Sequence, residues 1–135
     1  MADYTVQGTS PLGWIKAALE AYHDYNADRL LAEVNQGGDL IQELLHGQYA
    51  TVSYRAVRAT RGKQTRAEPI AALYEQGRAK HLRGLGTLED QMVQMTGAGY
   101  HGKGSPDRVD ALVRALTDLM LDARTKPTAP RLRVV

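Results

Sequence analysis

The sequence predicts an α/β fold in which helices flank a layered sheet containing parallel strand pairs. Three observations carry that expectation. Compact apolar runs of strand length, RLLAEV at 29 to 34 and VSYRAV at 52 to 57, alternate with longer segments whose apolar residues recur at helical spacing. The segments between them are long enough for helical crossovers, which parallel pairing requires. Two helix starts are marked by Ser followed by Pro, at Ser10 and Ser105: an N-cap oxygen ahead of a residue whose φ is already helical.

A chain of 135 residues can bury one modest core, and 43% hydrophobic with 24% charged residues is the composition of a globular domain rather than a disordered one. Phe is absent and Trp occurs once, so Leu, Val, Ala, Ile and Met must build that core. The lack of cysteine excludes a disulfide framework and a thiolate metal site, and fits a reducing compartment. No apolar run approaches the roughly 20 residues that cross a bilayer, and the N-terminus has no basic region followed by an apolar core, so a soluble, cytoplasmic protein is expected. A net charge of +2 is too small to argue nucleic-acid binding by itself, although the pI is about 9.0 and the basic residues are unevenly placed.

Taken in order, Asp3 to Val6 is a short β-prone piece, broken by Gly8, Ser10 and Pro11. The first helix follows, its apolar face made by Trp14, Ile15, Ala18, Leu19 and Tyr22 and its end near Tyr25. RLLAEV then reads as a buried strand leaving through the turn NQGGD into a second helix over 39 to 46. Glu33 is the anomaly of that strand, because a carboxylate there must be exposed, paired or bound to a cation. VSYRAV is the next strand, and after it Arg58, Arg61, Lys63 and Arg66 crowd into nine residues. Such a loop is either solvated or lies along a phosphate backbone, where each contact adds a salt-dependent increment of binding.

Thr65 and Glu68 have capping-box spacing and Pro69 follows, which predicts a third helix to about Arg78. A short strand is expected over 79 to 82, then a brief helix capped by Thr87 and containing Leu88, Met92, Val93 and Met95, with methionines at that spacing read as core rather than as a cofactor box. The stretch GAGYHGKG at 97 to 104 reads as a mobile loop and lacks the Lys-Ser/Thr pair of a nucleotide-binding P-loop. The last helix, SPDRVDALVRALTDLM, is the strongest: Ser105 caps it, Val109, Leu112, Val113, Leu116, Leu119 and Met120 form one face, and Asp107, Asp110 and Arg114 lie opposite. Acids in a first turn are favoured by the helix dipole whether or not they do chemistry. From Arg124 the chain is proline-rich and basic, so residues 1–122 are expected to form the domain and 123–135 a flexible tail.

SPDRVDALVRALTDLM, with AEVNQGGDLIQELL at 32 to 45 and RAEPIAALYEQGRAKH at 66 to 81, closely resembles the C-terminal nuclease domain of tailed-phage terminase large subunits, in order over roughly residues 3 to 121. The resemblance implies an RNase H-like sheet flanked by helices and a metal-dependent endonuclease that cuts concatemeric double-stranded DNA. It implies carboxylates converging on Mg²⁺ or Mn²⁺ in a two-metal site, with Glu33 as the second acid, Asp107 as the acid opening the last helix and Asp110 as an auxiliary ligand. Arg58, Arg61, Lys63 and Arg66 would follow the DNA backbone, and the terminase small subunit and portal would be partners. Such domains open with a hairpin carrying the leading catalytic Asp, which has no counterpart before Asp3. The chain is therefore expected to be N-terminally truncated, and a non-catalytic DNA-binding or docking remnant is the alternative. A Holliday-junction resolvase, which also places acids at a helix start, is a third reading that the RGK loop and YEQGR helix disfavour.

Overall fold

In a computed structural model of the chain, the described residues are 2–8, 10–34, 43, 45, 51–58 and 62–122. They fall into two compact units, Met1–Gly62 with His81–Asp90, and Lys63–Lys80 with Gln91–Val135. Among the described residues no helix is long and apolar enough to cross a membrane.

The first unit is built on α1, Pro11–Asp24. Its start follows the expected chemistry: the Ser10 hydroxyl accepts from the Gly13 N–H at 3.3 Å and Pro11 takes the first helical position. Its end is a Schellman motif, with the Asn26 N–H donating to the His23 carbonyl (3.1 Å) and the Ala27 N–H to that of Tyr22 (2.9 Å). That geometry needs a left-handed residue, and Asn26 supplies it at φ 45°. Ile15 and Leu19 from α1 are buried with Leu45, and Trp14, Leu30, Val52 and Tyr54 pack around them.

The two expected strands form, as β1 (Leu30–Glu33) and β2 (Tyr54–Val57), and they pair in parallel with Leu30 opposite Tyr54 and Glu33 opposite Val57. The ladder extends through Leu30 N–H to the Ser53 carbonyl and Val34 N–H to that of Val57. Both strands are half-buried rather than buried throughout, because among the described residues the sheet has only these two strands. The β-prone start of the chain is not a strand. The Tyr4 hydroxyl instead donates to the Asp24 carboxylate at 3.0 Å, and its ring meets that of Tyr25 edge-on at 6.0 Å. Glu43 and Leu45 are helical, while the rest of the helix expected over 39 to 46, with the NQGGD turn, lies outside the described residues.

In the second unit, α2 spans Lys63–Glu75. It begins before Thr65, so Thr65 and Glu68 do not form a capping box, and Pro69 stands inside the helix, where it withholds the donor that the Thr65 carbonyl would otherwise receive. Its end is also a Schellman motif: at Gly77, φ 66°, the N–H of Gly77 reaches the Tyr74 carbonyl and that of Arg78 reaches Leu73. The strand expected over 79 to 82 is absent, and the Ala79 N–H is spent on the Leu73 carbonyl of the helix end.

A third helix, α3 (Gly86–Val93), opens before Thr87, so Thr87 is not its cap, and Met95 falls outside it. Met95 belongs to β3 (Met95–Thr96), which forms a small antiparallel hairpin with β4 (Gly99–Tyr100) where a plain loop was expected. The Thr96 hydroxyl organises the turn, donating to the Gly99 carbonyl and accepting from the Ala98 N–H. The last helix, α4 (Asp107–Leu116), buries Val109, Leu112 and Val113 as its spacing predicts. It then widens into a π-helical turn over Thr117–Leu121. The Thr117 hydroxyl donates to the Val113 carbonyl at 2.7 Å and competes with the backbone for it, and the Asp122 N–H closes a five-residue ring onto Thr117. Each residue of the wider turn advances by less than the about 100° of an α-helix. Leu119 is thereby carried off the apolar stripe and is 69% exposed, while Asp118 is buried.

One side chain of the first unit is poorly served. Among the described residues the buried Tyr54 hydroxyl has no hydrogen-bond partner, and burial pushes its pKa up. An unsatisfied buried hydroxyl costs stability that its removal returns. Tyr54→Phe is therefore expected to raise the unfolding free energy by about 1 kcal/mol, measured by thermal or urea unfolding; a lower midpoint would show that the hydroxyl has a stabilising partner.

Candidate functional site

The acids expected to do chemistry are divided between the units. Glu33 closes β1 at the carboxyl end of a parallel strand, the end where sites of α/β sheets gather, and it is exposed. Beside it in the first unit is a cavity of about 330 Å³ lined by Trp14, Ile15, Ala18, Leu31 and Leu45, so the carboxylate stands at an apolar rim. Arg58 follows β2 and is exposed, whereas Arg61 lies outside the described residues.

Asp107 and Asp110 open α4 in the second unit, but the start of that helix is not built as the sequence suggests. Pro106 occupies the N-cap position, with ψ 54°, and no side chain of the cap bonds to the first turn. The Ser105 hydroxyl is engaged elsewhere, accepting from the Lys63 ammonium at 3.0 Å. The orphan amides of the first turn are instead met by Gln91, whose Oε1 accepts from the Arg108 N–H at 3.1 Å and the Val109 N–H at 3.3 Å. A side chain borrowed from α3 thus does the work of a cap. Nothing in the local sequence signals it, since the acceptor stands 17 residues away from the Arg108 donor.

The structure brings three of the expected site residues together: Lys63, Arg66 and Asp110. The Lys63 ammonium contacts Oδ2 of Asp110, and the Arg66 guanidinium stands 3.9 Å from Oδ1. Side-chain exposure is 46% for Lys63 and 19% for Asp110, so solvent screens the pair and its contribution to stability is about 0.5–1 kcal/mol. Its effect on chemistry is larger, because a carboxylate already facing two cations is a poor further ligand for a third. Asp107 differs. It is exposed on the first residue of the helix, where the dipole favours an anion, and among the described residues no hydrogen bond or ion pair reaches its carboxylate.

Hard carboxylate oxygens suit Mg²⁺ or Mn²⁺, and by donor type Glu33 and Asp107 both fit. Asp110, held by Lys63 and Arg66, fits less well. Among the described residues no group of three or more His, Asp or Glu side chains is arranged to hold a metal ion. The glycine-rich stretch contributes a histidine that is already occupied: His101 Nε2 lies 2.9 Å from the Thr96 hydroxyl.

Gln91→Ala removes the acceptor of two first-turn amides and is expected to cost about 1 kcal/mol, as loss of a cap does. Hydrogen exchange should localise that loss, with faster exchange at Arg108 and Val109. Unchanged exchange there would mean that the borrowed cap is not formed in solution.

No curated protein and no solved structure gives a significant match to the chain. A protein-family profile does, described as the terminase RNaseH-like domain, and it matches residues 1–119. That span takes in β1 with Glu33, the basic stretch around Lys63 and the acid-bearing start of α4, and the chain accordingly belongs to the terminase RNaseH-like domain family.

Proposed function

We propose that this chain is the nuclease part of a phage DNA-packaging terminase, a metal-dependent endonuclease that cuts concatemeric double-stranded DNA in the cytoplasm of the host. The observation that carries the reading is the family match over residues 1–119. The acids support it: Glu33 and Asp107 are exposed hard-oxygen donors at a strand end and a helix start. In this reading each is a ligand for a divalent cation, which when bound would supply an activated water and neutralise charge on the scissile phosphate. The chain's own contribution is to present these carboxylates toward the substrate. Asp110, with Lys63 and Arg66 against it, belongs to the same end of α4. The detailed architecture that goes with the reading is a layered RNase H-like sheet, and the partners are DNA, the terminase small subunit and the portal.

The basic stretch supplies the DNA contacts. Arg58 and Arg61 would lie along the phosphate backbone, joined by the exposed face of Lys63; Arg66, whose side chain is 11% exposed, would contribute mainly through the field it adds. A second reading, a non-catalytic module that binds DNA or the packaging machinery, is favoured by one observation, that Asp110 is already engaged by Lys63 and Arg66.

The test is nicking of supercoiled plasmid by the chain with Mg²⁺ or Mn²⁺. Cleavage is expected to vanish with a chelator and to fall on the order of 100-fold in Glu33→Gln and in Asp107→Asn, with DNA binding retained. Unchanged rates in those variants would remove the site assignment, and DNA binding without any cation-dependent nicking would leave the second reading standing. In a separate measurement, Arg58→Ala should weaken DNA binding uniformly across sequences and reduce the slope of log K against log salt by about one; an unaltered slope takes Arg58 out of the interface.

A further inference from the structure

We infer that Lys63 is a positioning residue for Asp107, acting through Ser105 and Asp110 rather than through substrate. This rests on the reading of Asp107 as a cation ligand. The geometry brackets that residue. On its N-terminal side the Ser105 hydroxyl accepts from the Lys63 ammonium at 3.0 Å, and on its C-terminal side the same ammonium contacts the Asp110 carboxylate. One charged group at the first residue of α2 therefore ties down the approach to α4 and its first turn together, with Asp107 between the two ties.

Three features make this more than a surface ion pair. Pro106 separates Ser105 from Asp107 and cannot donate a hydrogen bond of its own, so the approach to the helix is held from outside the helix. The cap is also external, Gln91 accepting from Arg108 and Val109, which fixes the backbone of the turn but not the direction of the acid that opens it. Finally, Asp107 and Asp110 are like charges one turn apart, and repulsion between them would drive the Asp107 carboxylate away from its place. Lys63, aided by Arg66, compensates the charge of Asp110 and leaves Asp107 as the acid of that turn open to a cation. Asp110 is then a counter-charge within the chain and not a ligand.

The experiment is Mn²⁺ binding to the chain, followed by the loss of the free-ion electron paramagnetic resonance signal, with thermal unfolding and hydrogen exchange recorded on each variant. Lys63→Met is expected to weaken Mn²⁺ binding about 10-fold, the effect of losing a group that orients a ligand. Exchange at Arg108 and Val109, whose amides Gln91 holds, should be unaltered, so that the loss is one of carboxylate placement and not of helix structure. Lys63→Arg should restore most of the affinity, and adding Asp110→Asn to Lys63→Met, which removes the charge left uncompensated, should recover part of it. If Lys63→Met fails to fold, Ser105→Ala, which removes the tie on the other side of Asp107, carries the same comparison. Unchanged affinity in these variants overturns the inference, and so does tighter binding in Lys63→Met, which would return Asp110 to the ligand set. If the unaltered chain shows no Mn²⁺ binding that Asp107→Asn abolishes, the proposed function itself fails and this inference with it; binding that depends on Asp107 but ignores Lys63 overturns the inference alone.

Discussion

A helix that begins with acids and follows a proline has two deficits, donors without acceptors and negative charges without compensation. The start of α4 has both, since Pro106 in the cap position offers no side-chain oxygen and Asp107 and Asp110 share the first turn. Each deficit is met from another segment of the second unit, the amides by Gln91 and the charge by Lys63 with Arg66. The acid-bearing turn is therefore a product of tertiary structure. The dipole that favours Asp in a first turn acts on any helix, but it does not choose which of two acids faces outward. The ammonium lying against Asp110 makes that choice.

What could be read in the sequence was whatever depends on nearest neighbours. The apolar stripe of Val109, Leu112 and Val113 follows from spacing, and the two strands follow from compact apolar runs. Ser10 caps α1 as its sequence says, and Ser105, in the same Ser-Pro setting, does not cap α4. The difference is a competitor 42 residues away in the chain, Lys63, which claims the hydroxyl. Thr65 and Glu68 had the spacing of a capping box and lost it when α2 began earlier, and the exposure of Leu119 follows from a π-helical turn that the spacing of apolar residues does not signal. For the candidate site, residue type and element were legible for Glu33 and Asp107, while the division of labour between Asp107 and Asp110 was not, because it depends on where a lysine from another helix comes to rest.

Counting basic residues along 58 to 66 overstates the positive field this terminase domain can offer to DNA. Part of the charge on Lys63 and Arg66 is spent inside the chain on Asp110, and the net charge of the whole is only +2. Any attraction to a phosphate backbone then rests on few contacts, which makes it weak and gives it a shallow salt dependence. The same arrangement joins the two functions expected of the domain, since the lysine that steadies an acid also stands partly exposed at the edge of the basic stretch.

The π-helical turn carries a consequence of its own. The Thr117 hydroxyl shares the Val113 carbonyl with the Thr117 N–H where the helix widens, and past that point an acid, Asp118, is turned inward while Leu119 is left on the surface.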